Sequence, residues 1–358
     1  MSGFRKHDSN LHKQSLSVYY TFPRPIIHYA DNPIQISYVS QCAPPKLSCS
    51  MYNYLSELKT KAQKLHDNWV YYNSYMWLYI PTTIKNIRVS GIEHIQDNQT
   101  FIHNNIILYE LIEISCVLHL FTESNTIVCR HFGNHESIYE KSMYQIRNTH
   151  GKQCQFIKDT NIMYDTIFID AINDTDNEYE ISKLAITYIS QAILMQKRKG
   201  TLILKMGDCF SQLSLDLIFL LSSLFEKSYF MKPTVSFLTS STRYFICRDF
   251  RFDKLQNGLR TGLQTLHAQI NQTIEPRYLF RILKMNIPSM FTNKLEEINS
   301  ILGQPRLEYI HQCLNQHELY PEKPLHTIPN DIRKCVDWCM RFKVPIQNVY
   351  NICTSSKT

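Results

Sequence analysis

The chain has 358 residues, of which 44% are hydrophobic and 19% are charged. This balance supports a sizeable buried core and excludes collagen-like, coiled-coil and low-complexity proteins. Only nine residues are glycine, although nucleotide-binding loops usually need glycine to bring their backbone close to a ligand. The formal net charge is +7.

The positive charge is concentrated at the two ends. Residues 1–50 hold five Lys and Arg against two acids, and residues 251–358 hold fourteen against nine, so the middle is close to neutral. A near-neutral centre between basic flanks favours a core domain whose periphery meets a polyanion. The alternative interpretation is an ordinary surface of solvated lysines.

The sequence gives only weak signals for a membrane-spanning segment or a signal peptide. The most apolar runs, 106–121 and 213–225, are short and are interrupted by Glu110, Glu113 and Asp216. The start, MSGFRKHDSN, is unlike a signal peptide. We therefore expect a cytoplasmic protein with no membrane partner.

The eleven cysteines form no disulfide framework, which predicts free thiols in a reducing compartment. Cys335 and Cys339 lie four residues apart, with His311, Cys313 and His317 upstream. A zinc site there is the less favoured alternative to buried thiols, because the CxxC spacing is missing.

In chain order, residues 1–50 predict an extended basic arm, and 51–79 predict a helix. From about residue 99, short apolar runs alternate with longer periodic ones, which is typical of βαβ units and a parallel sheet. We expect Gln99–His103 to be a strand and Ile106–Phe121 the helix that follows it. Further short strands are expected at Thr126–Cys129 and Gln155–Ile157.

The second half of the sheet has clearer signals. Tyr164–Asp170 and Thr201–Met206 read as buried strands. Between them, apolar residues at helical spacing from Ile181 to Ala192 predict a helix, which we expect to end in a cationic turn at 197–199 before Gly200. A second helix is expected over Leu213–Phe225.

Two β-rich runs, Ser228–Lys232 and Tyr244–Arg248, then predict a terminal antiparallel hairpin. Beyond Phe252, leucines at helical spacing predict helices that several prolines cut into short pieces. The expected division is an arm at 1–50, an α/β domain at 51–252 and a helical region at 253–358.

The segment Tyr164–Phe250 resembles the FtsJ/RrmJ-like ribose 2′-O-methyltransferases, the family that includes viral mRNA cap-1 enzymes. Three pieces in order carry the resemblance: YDTIFID, GTLILKMGDCF and KPTVSFLTSSTRYFIC. It implies a Rossmann-like methyltransferase sheet with a terminal antiparallel hairpin. It also implies S-adenosylmethionine as cofactor, the capped 5′ end of mRNA as substrate and other capping-enzyme subunits as partners.

The resemblance further implies a Lys-Asp-Lys-Glu tetrad that deprotonates the ribose hydroxyl. Asp170 and Lys205 match its second and third members. Lys64 matches the first, in a helix just before the nucleotide-binding core, with Lys61 and Lys59 left open. The fourth place falls on Thr242, which has no carboxylate.

Physical chemistry supports a role for Asp170 and Lys205. Both come towards the carboxyl ends of parallel strands, where open α/β sheets collect ligands. A lysine acts as a general base only when burial or a nearby cation lowers its pKa from about 10.4. Asp170 would orient that base.

The resemblance places the cofactor loop at His103–Glu110, after the first expected strand. Asn104 and Asn105 tolerate left-handed backbone, so with Asp170 they are the expected contacts of S-adenosylmethionine. The loop has no glycine, and Ile107 and Tyr109 would crowd the cofactor.

Three hypotheses follow from these observations. The first is an active RNA cap 2′-O-methyltransferase of viral or virus-like origin. The second is a methyltransferase-fold subunit without catalysis that binds RNA or stimulates a capping enzyme. The third is an unrelated α/β protein whose YDTIFID and TLILKM segments are only sheet core.

Overall fold

The computed structural model describes residues 19–29, 31–63, 98–122, 125–148, 153–172, 177–271, 277–319 and 337–343. Nine strands lie in these ranges: β1 Tyr19–Thr21, β2 Ile34–Val39, β3 Ile127–Gly133, β4 Cys154–Phe156, β5 Tyr164–Asp170, β6 Gln196–Met206, β7 Phe225–Met231, β8 Arg243–Phe250 and β9 Tyr278–Leu283. The helices of the same ranges include α1 Cys49–Gln63, α2 Asn98–Val117, α3 Glu136–Asn148, α4 Glu178–Ala192, α5 Gln212–Leu224, α6 Asn257–Asn271 and α7 Ser289–Leu319.

Seven strands form one sheet in the order β1-β7-β8-β6-β5-β3-β4. The pairs from β4 to β6 are parallel, whereas β8 is antiparallel to both β6 and β7. A parallel sheet that ends in an antiparallel hairpin is the Rossmann-like methyltransferase arrangement expected from the sequence. The predicted fold class is therefore confirmed.

Alternating side chains divide the core between the two faces of the sheet. On one face, Phe168 of β5 and Ile203 of β6 pack with α2 and α3. On the other face, residues such as Ile169 and Leu204 pack with α4, α5, α6 and α7. Helices on both faces explain why the central residues of both strands, Ile167–Ile169 of β5 and Leu202–Leu204 of β6, are apolar.

Several local predictions are confirmed. Strand β5 has the predicted bounds, and the expected hairpin is formed by β7 and β8. Helix α5 begins after Ser211, whose hydroxyl accepts the Ser214 N–H at 3.1 Å. Within it Asp216, which interrupts the apolar run, is buried and accepts the N–H groups of Ile282 and Leu283.

Two predictions in the first half of the domain are wrong. The expected strand Gln99–His103 lies in helix α2, so the first parallel strand is β3. The cationic run 197–199 is not a helix end, because α4 stops at Ala192 and these residues belong to β6. There the register jumps from Tyr164↔Gln196 to Thr166↔Thr201, and the extra residues bulge out of the strand.

The predicted arm and helical region are joined by strand pairing. β1 extends the main sheet beside β7, and β2 pairs with β9 in a separate two-stranded sheet. Over Ser289–Leu319 the structure has one helix, α7, where short pieces were expected, and this helix continues through Pro305. Buried Arg306 anchors the helix at that point through the carboxylate of Asp208. The division at residues 50 and 252 stays a prediction.

Candidate functional site at the carboxyl edge of the sheet

Asp170 and Lys205 meet as the sequence predicts. Asp170 is the last residue of β5, and it pairs in register with Lys205 near the end of β6. Their side chains lie on the sheet face covered by α2 and α3, because each is two residues from a side chain of that apolar cluster. The pair therefore lies at the carboxyl edge of the parallel strands, where ligands of such sheets bind.

A third charged residue, Glu110 of α2, completes this group. Its Oε2 lies 3.3 Å from Lys205 Nζ and accepts the hydroxyl of Tyr244 at 2.6 Å. Its Oε1 accepts the Ser236 hydroxyl at 2.5 Å. The sequence carried one signal for this residue, since it is one of only two acids in an otherwise apolar helical run.

These contacts keep the lysine charged. Burial lowers the pKa of Lys205, but the carboxylates of Glu110 and Asp170 outweigh burial and raise it above its ordinary value. A lysine whose pKa is raised is protonated at neutral pH and cannot accept a proton from a hydroxyl. Lys205 in this arrangement is a buried cation paired with Glu110.

The carboxylate of Asp170 is also fully engaged. Its Oδ1 accepts the Ile172 N–H at 3.2 Å, and its Oδ2 accepts the Tyr139 hydroxyl at 3.3 Å. His135 Nδ1 lies 3.7 Å from Oδ2. Burial raises the pKa of Asp170, but Lys205 and His135, with the Ile172 hydrogen bond, lower it below its ordinary value.

The loop after the first parallel strand lies at Gly133, not at His103. Asn104 and Asn105 belong to helix α2 and form no turn, so the predicted cofactor loop is wrong in place. Gly133 has a φ of +105°, and a Cβ on it would lie 2.1 Å from the carbonyl oxygen of Asp170. Only glycine fits that position.

This loop is compatible with a cofactor. Gly133 keeps the backbone bare beside Asp170, and helix α3 begins three residues later. Nearby, His131 Nε2 is buried and has no hydrogen-bond partner among the described residues. Gly133 and His135 are the residues that would hold S-adenosylmethionine, which supplies an electrophilic methyl group when bound.

The buried His131 side chain predicts that the protein loses stability at acid pH. Burial lowers its pKa to about 4 although Asp170 and Glu136 oppose that shift. Between pH 6.5 and 4 the unfolded chain therefore binds a proton that the folded protein does not, so the free energy of unfolding falls as the pH falls. We expect a loss of about 3 kcal/mol across that window.

Urea unfolding of wild type and His131→Phe at pH 7.5, 5 and 4 would measure this contribution. The variant keeps an aromatic ring beside Tyr139, which lies 4.5 Å from the His131 ring, and should lose less stability on acidification. Equal pH dependence in the two proteins would show that His131 does not stay neutral in the folded state.

The fourth tetrad position contains no acid. Thr242 precedes β8, and its hydroxyl accepts from the Ser240 hydroxyl at 2.8 Å. Lys64, the expected first member, lies outside the described residues. The helix directly before β3 is α2, and the residue it directs at Lys205 is Glu110.

A cluster of buried ions lies next to the group formed by Asp170, Lys205 and Glu110. Asp208, in the loop after β6, contacts Arg243 and Arg306, each at 2.6 Å. Arg243 also donates to Asn299 at 3.0 Å. Burial raises the pKa of Asp208, but Arg306, Arg243 and Lys59 lower it to about 2. The cluster joins β8 and α7 to the carboxyl edge of β6.

A cavity of about 340 Å³ opens between α1 and the starts of α4 and α5. In it, Glu178 Oε1 accepts the N–H groups of Phe210 and Ser211 and the hydroxyl of Ser214. The walls include Tyr52, Lys59, Glu178, Tyr179, Asp208 and Phe210.

Neither a metal site nor a membrane helix is found within the described ranges. No group of three or more metal-ligating side chains occurs there, and Cys313 and Cys339 are buried cysteines outside any disulfide. Cys335 lies outside these ranges. No helix in them has the length and apolar character that crossing a membrane requires.

The sequence matches no protein-family model. Among curated proteins it is similar to an uncharacterized protein of Acanthamoeba polyphaga mimivirus, with 25% identity over 191 residues. That match covers 50% of this chain and 51% of the viral protein, so the chain spans about half the length of the relative it matches.

Among solved structures, the chain is similar to one described as a class I S-adenosylmethionine-dependent methyltransferase from Listeria monocytogenes. That match covers 62% of this chain and 98% of the other, with a TM-score of 0.26 and 8% sequence identity. The assignment of the fold rests on strand order and direction instead.

Proposed function

We propose that this chain is a methyltransferase-fold subunit of a viral mRNA-capping system, which binds RNA without transferring a methyl group through the lysine tetrad. The observation that carries the proposal is the contact of Glu110 with Lys205. The proposed partners are the capped 5′ end of mRNA and other capping-enzyme subunits. The proposed location is the host cytoplasm or the virion.

The charges around Lys205 are the reverse of those that a tetrad base requires. Deprotonation of a ribose hydroxyl needs a neutral amine, which a second lysine nearby would favour. Here the helix before the core directs the carboxylate of Glu110 at Lys205, and Thr242 supplies no acid. Glu110 and Ile107 are also buried on the inner side of α2, which covers this face of the sheet.

The cavity beside Glu178 supports RNA as the partner. Unstacked bases bind proteins by stacking on aromatic rings and by hydrogen bonds along their edges. Two aromatic rings, Tyr52 and Tyr179, line the walls together with the carboxylate of Glu178. The basic ends of the chain would contact phosphates.

An active 2′-O-methyltransferase is the second candidate, and two observations favour it. Asp170 and Lys205 are cross-strand neighbours at the ligand-binding edge, and Gly133 lies at the end of the first parallel strand. In this candidate, Glu110 would have to leave Lys205 when RNA binds.

A methyl-transfer assay with capped RNA and labelled S-adenosylmethionine separates the two candidates. We expect the wild type to transfer no methyl group above background, alone or with cofactor in excess. Transfer that is lost in Lys205→Arg and kept in Lys227→Arg, an exposed site on β7, would overturn the proposal. Arginine keeps the positive charge but cannot act as a base.

RNA binding is tested separately by titration at increasing salt. We expect the logarithm of the binding constant to fall linearly with the logarithm of salt concentration, as counterions are released from phosphates. Absence of RNA binding at low salt would contradict the proposed partner. Calorimetry with S-adenosylmethionine shows in addition whether the Gly133 loop holds the cofactor.

A further inference from the structure

Lys232 directly follows β7, at the same edge of the sheet as Asp170 and Lys205. Strands β7 and β6 run in the same direction, because each is antiparallel to β8. The side chain of Lys232 is partly exposed, and its Nζ donates to the Ser240 carbonyl at 2.5 Å. No carboxylate of the described residues forms an ion pair with it.

The charges that face Lys232 come from four neighbouring segments. Arg306 of α7 and Arg243 of β8 are positive, whereas Asp208 after β6 and Glu110 of α2 are negative. Asp208 is already bound by both guanidinium groups, and Glu110 is bound by Lys205. Burial, with Arg306 and Arg243, lowers the pKa of Lys232 to about 7.

The loop between β7 and β8 also contains the hydroxyl of Thr239, a hydrogen-bond donor that has no acceptor among the described residues. The carbonyl of Thr239 accepts from Arg306 Nε at 2.8 Å, but its buried hydroxyl has no hydrogen-bond partner among the described residues. Buried polar groups are normally paired. The Thr239 carbonyl binds Arg306 and the next carbonyl, that of Ser240, binds Lys232, so this unpaired hydroxyl belongs to a segment held by two cations and could donate to an anion.

We propose that Lys232 and Thr239, with Arg243 and Arg306 behind them, bind a phosphate group. The choice of an RNA phosphate as its source rests on the proposed function. A phosphate oxygen accepts strong hydrogen bonds from an ammonium and a hydroxyl group. Its negative charge favours the protonated amine, so binding at or above neutral pH takes up a proton from solvent at Lys232.

Amine acylation followed by peptide mass spectrometry tests this site directly. In the free protein we expect labelling of Lys232 to rise with its neutral form around pH 7. Lys205, which is paired with Glu110, should stay unlabelled and serves as an internal comparison. With saturating single-stranded RNA, a rise of one pKa unit or more at Lys232 would cut labelling at pH 7.5 about threefold or more.

Calorimetry in two buffers of different ionisation enthalpy measures the proton taken up at pH 8. Lys232→Arg should bind RNA without proton uptake, because arginine is always charged. Lys232→Met should bind RNA more weakly and also take up no proton. Lys227→Met, which removes an exposed cation of β7, should keep the proton uptake of the wild type.

Parallel titrations with inorganic phosphate distinguish the source of the anion. Protection of Lys232 by RNA alone supports a backbone phosphate in a longer RNA surface. Protection by inorganic phosphate in a protein that binds no RNA supports the site and overturns the proposed function. Lys232 labelling that is unchanged by either probe would overturn the site itself.

Discussion

Replacing Asp208 with asparagine should lower the free energy of unfolding by about 3–5 kcal/mol, because the change leaves two buried guanidinium groups without their counter-ion. Arg243 and Arg306 are almost fully buried, and each contacts one oxygen of Asp208 at 2.6 Å. The loss should affect the whole molecule, since the cluster holds β8 and α7 against the edge of β6.

Urea unfolding at pH 7 measures this loss, because Asp208 is ionised at that pH in both folded and unfolded chains. Asp253→Asn is the matched control: its carboxylate pairs with Arg198 on an exposed surface, where such pairs contribute little. A loss below about 1 kcal/mol for Asp208→Asn would mean that water reaches the two arginines.

Replacing Lys205 with methionine should lower the free energy of unfolding by a similar amount, about 3–5 kcal/mol. The change leaves the buried carboxylates of Glu110 and Asp170 without their positive counter-ion. Glu110 and Asp170 are each only 2% exposed. Both also accept hydrogen bonds from buried tyrosines, Tyr244 and Tyr139, but a tyrosine hydroxyl cannot replace a positive charge.

The double variant Lys205→Met with Glu110→Gln shows which carboxylate causes the loss. A neutral glutamine can still accept from Tyr244 and Ser236, so we expect the double variant to recover about 1 kcal/mol or more of the stability lost. Equal instability of single and double variants would contradict the pairing of Glu110 with Lys205. If Lys205 has a structural role, its replacement lowers the free energy of unfolding. Replacement of a lysine with a purely catalytic role would not.

The pKa values of Lys205 and Lys232 shift in opposite directions because different charges surround the two side chains. Lys205 faces two carboxylates and keeps its charge, whereas Lys232 faces two guanidinium groups and shares its acids with other cations. Residue type, strand position and hydrophobic surroundings are similar for the two. If a lysine of this edge handles protons, the structure favours Lys232 over Lys205.

Much of the sheet could be predicted from local pattern. Strand β5, helix α5 and the β7–β8 hairpin were read correctly, because a buried strand or helix requires apolar side chains at every position or at a fixed period. The order of the pieces around Asp170 and Lys205 also sufficed to place both residues at one edge, since parallel strands share their carboxyl ends.

Local pattern failed where distant residues compete with it. The run Gln99–His103 reads as a strand but lies in α2, and the cationic run 197–199 reads as a helix end but bulges from β6. Pro305 should have ended a helix, yet α7 continues through it while Arg306 binds Asp208. At Pro305 and at the cationic run, contacts made elsewhere in the fold outweighed the local preference: Lys197 pairs with Asp165 and Arg198 with Asp253.

The sequence by itself determined the fold class and the meeting of Asp170 with Lys205, because both follow from parallel strands whose central residues are hydrophobic. Only the tertiary structure decided what surrounds that pair. Glu110 reaches Lys205 from 95 residues away in the chain, and Gly133 takes the turn that was sought at residues 103–110. The scarcity of glycine therefore does not leave the ligand-binding edge without one. Lys205 stays charged because the packing of α2 places the carboxylate of Glu110 beside it. The spacing of residues along the chain does not predict such a contact.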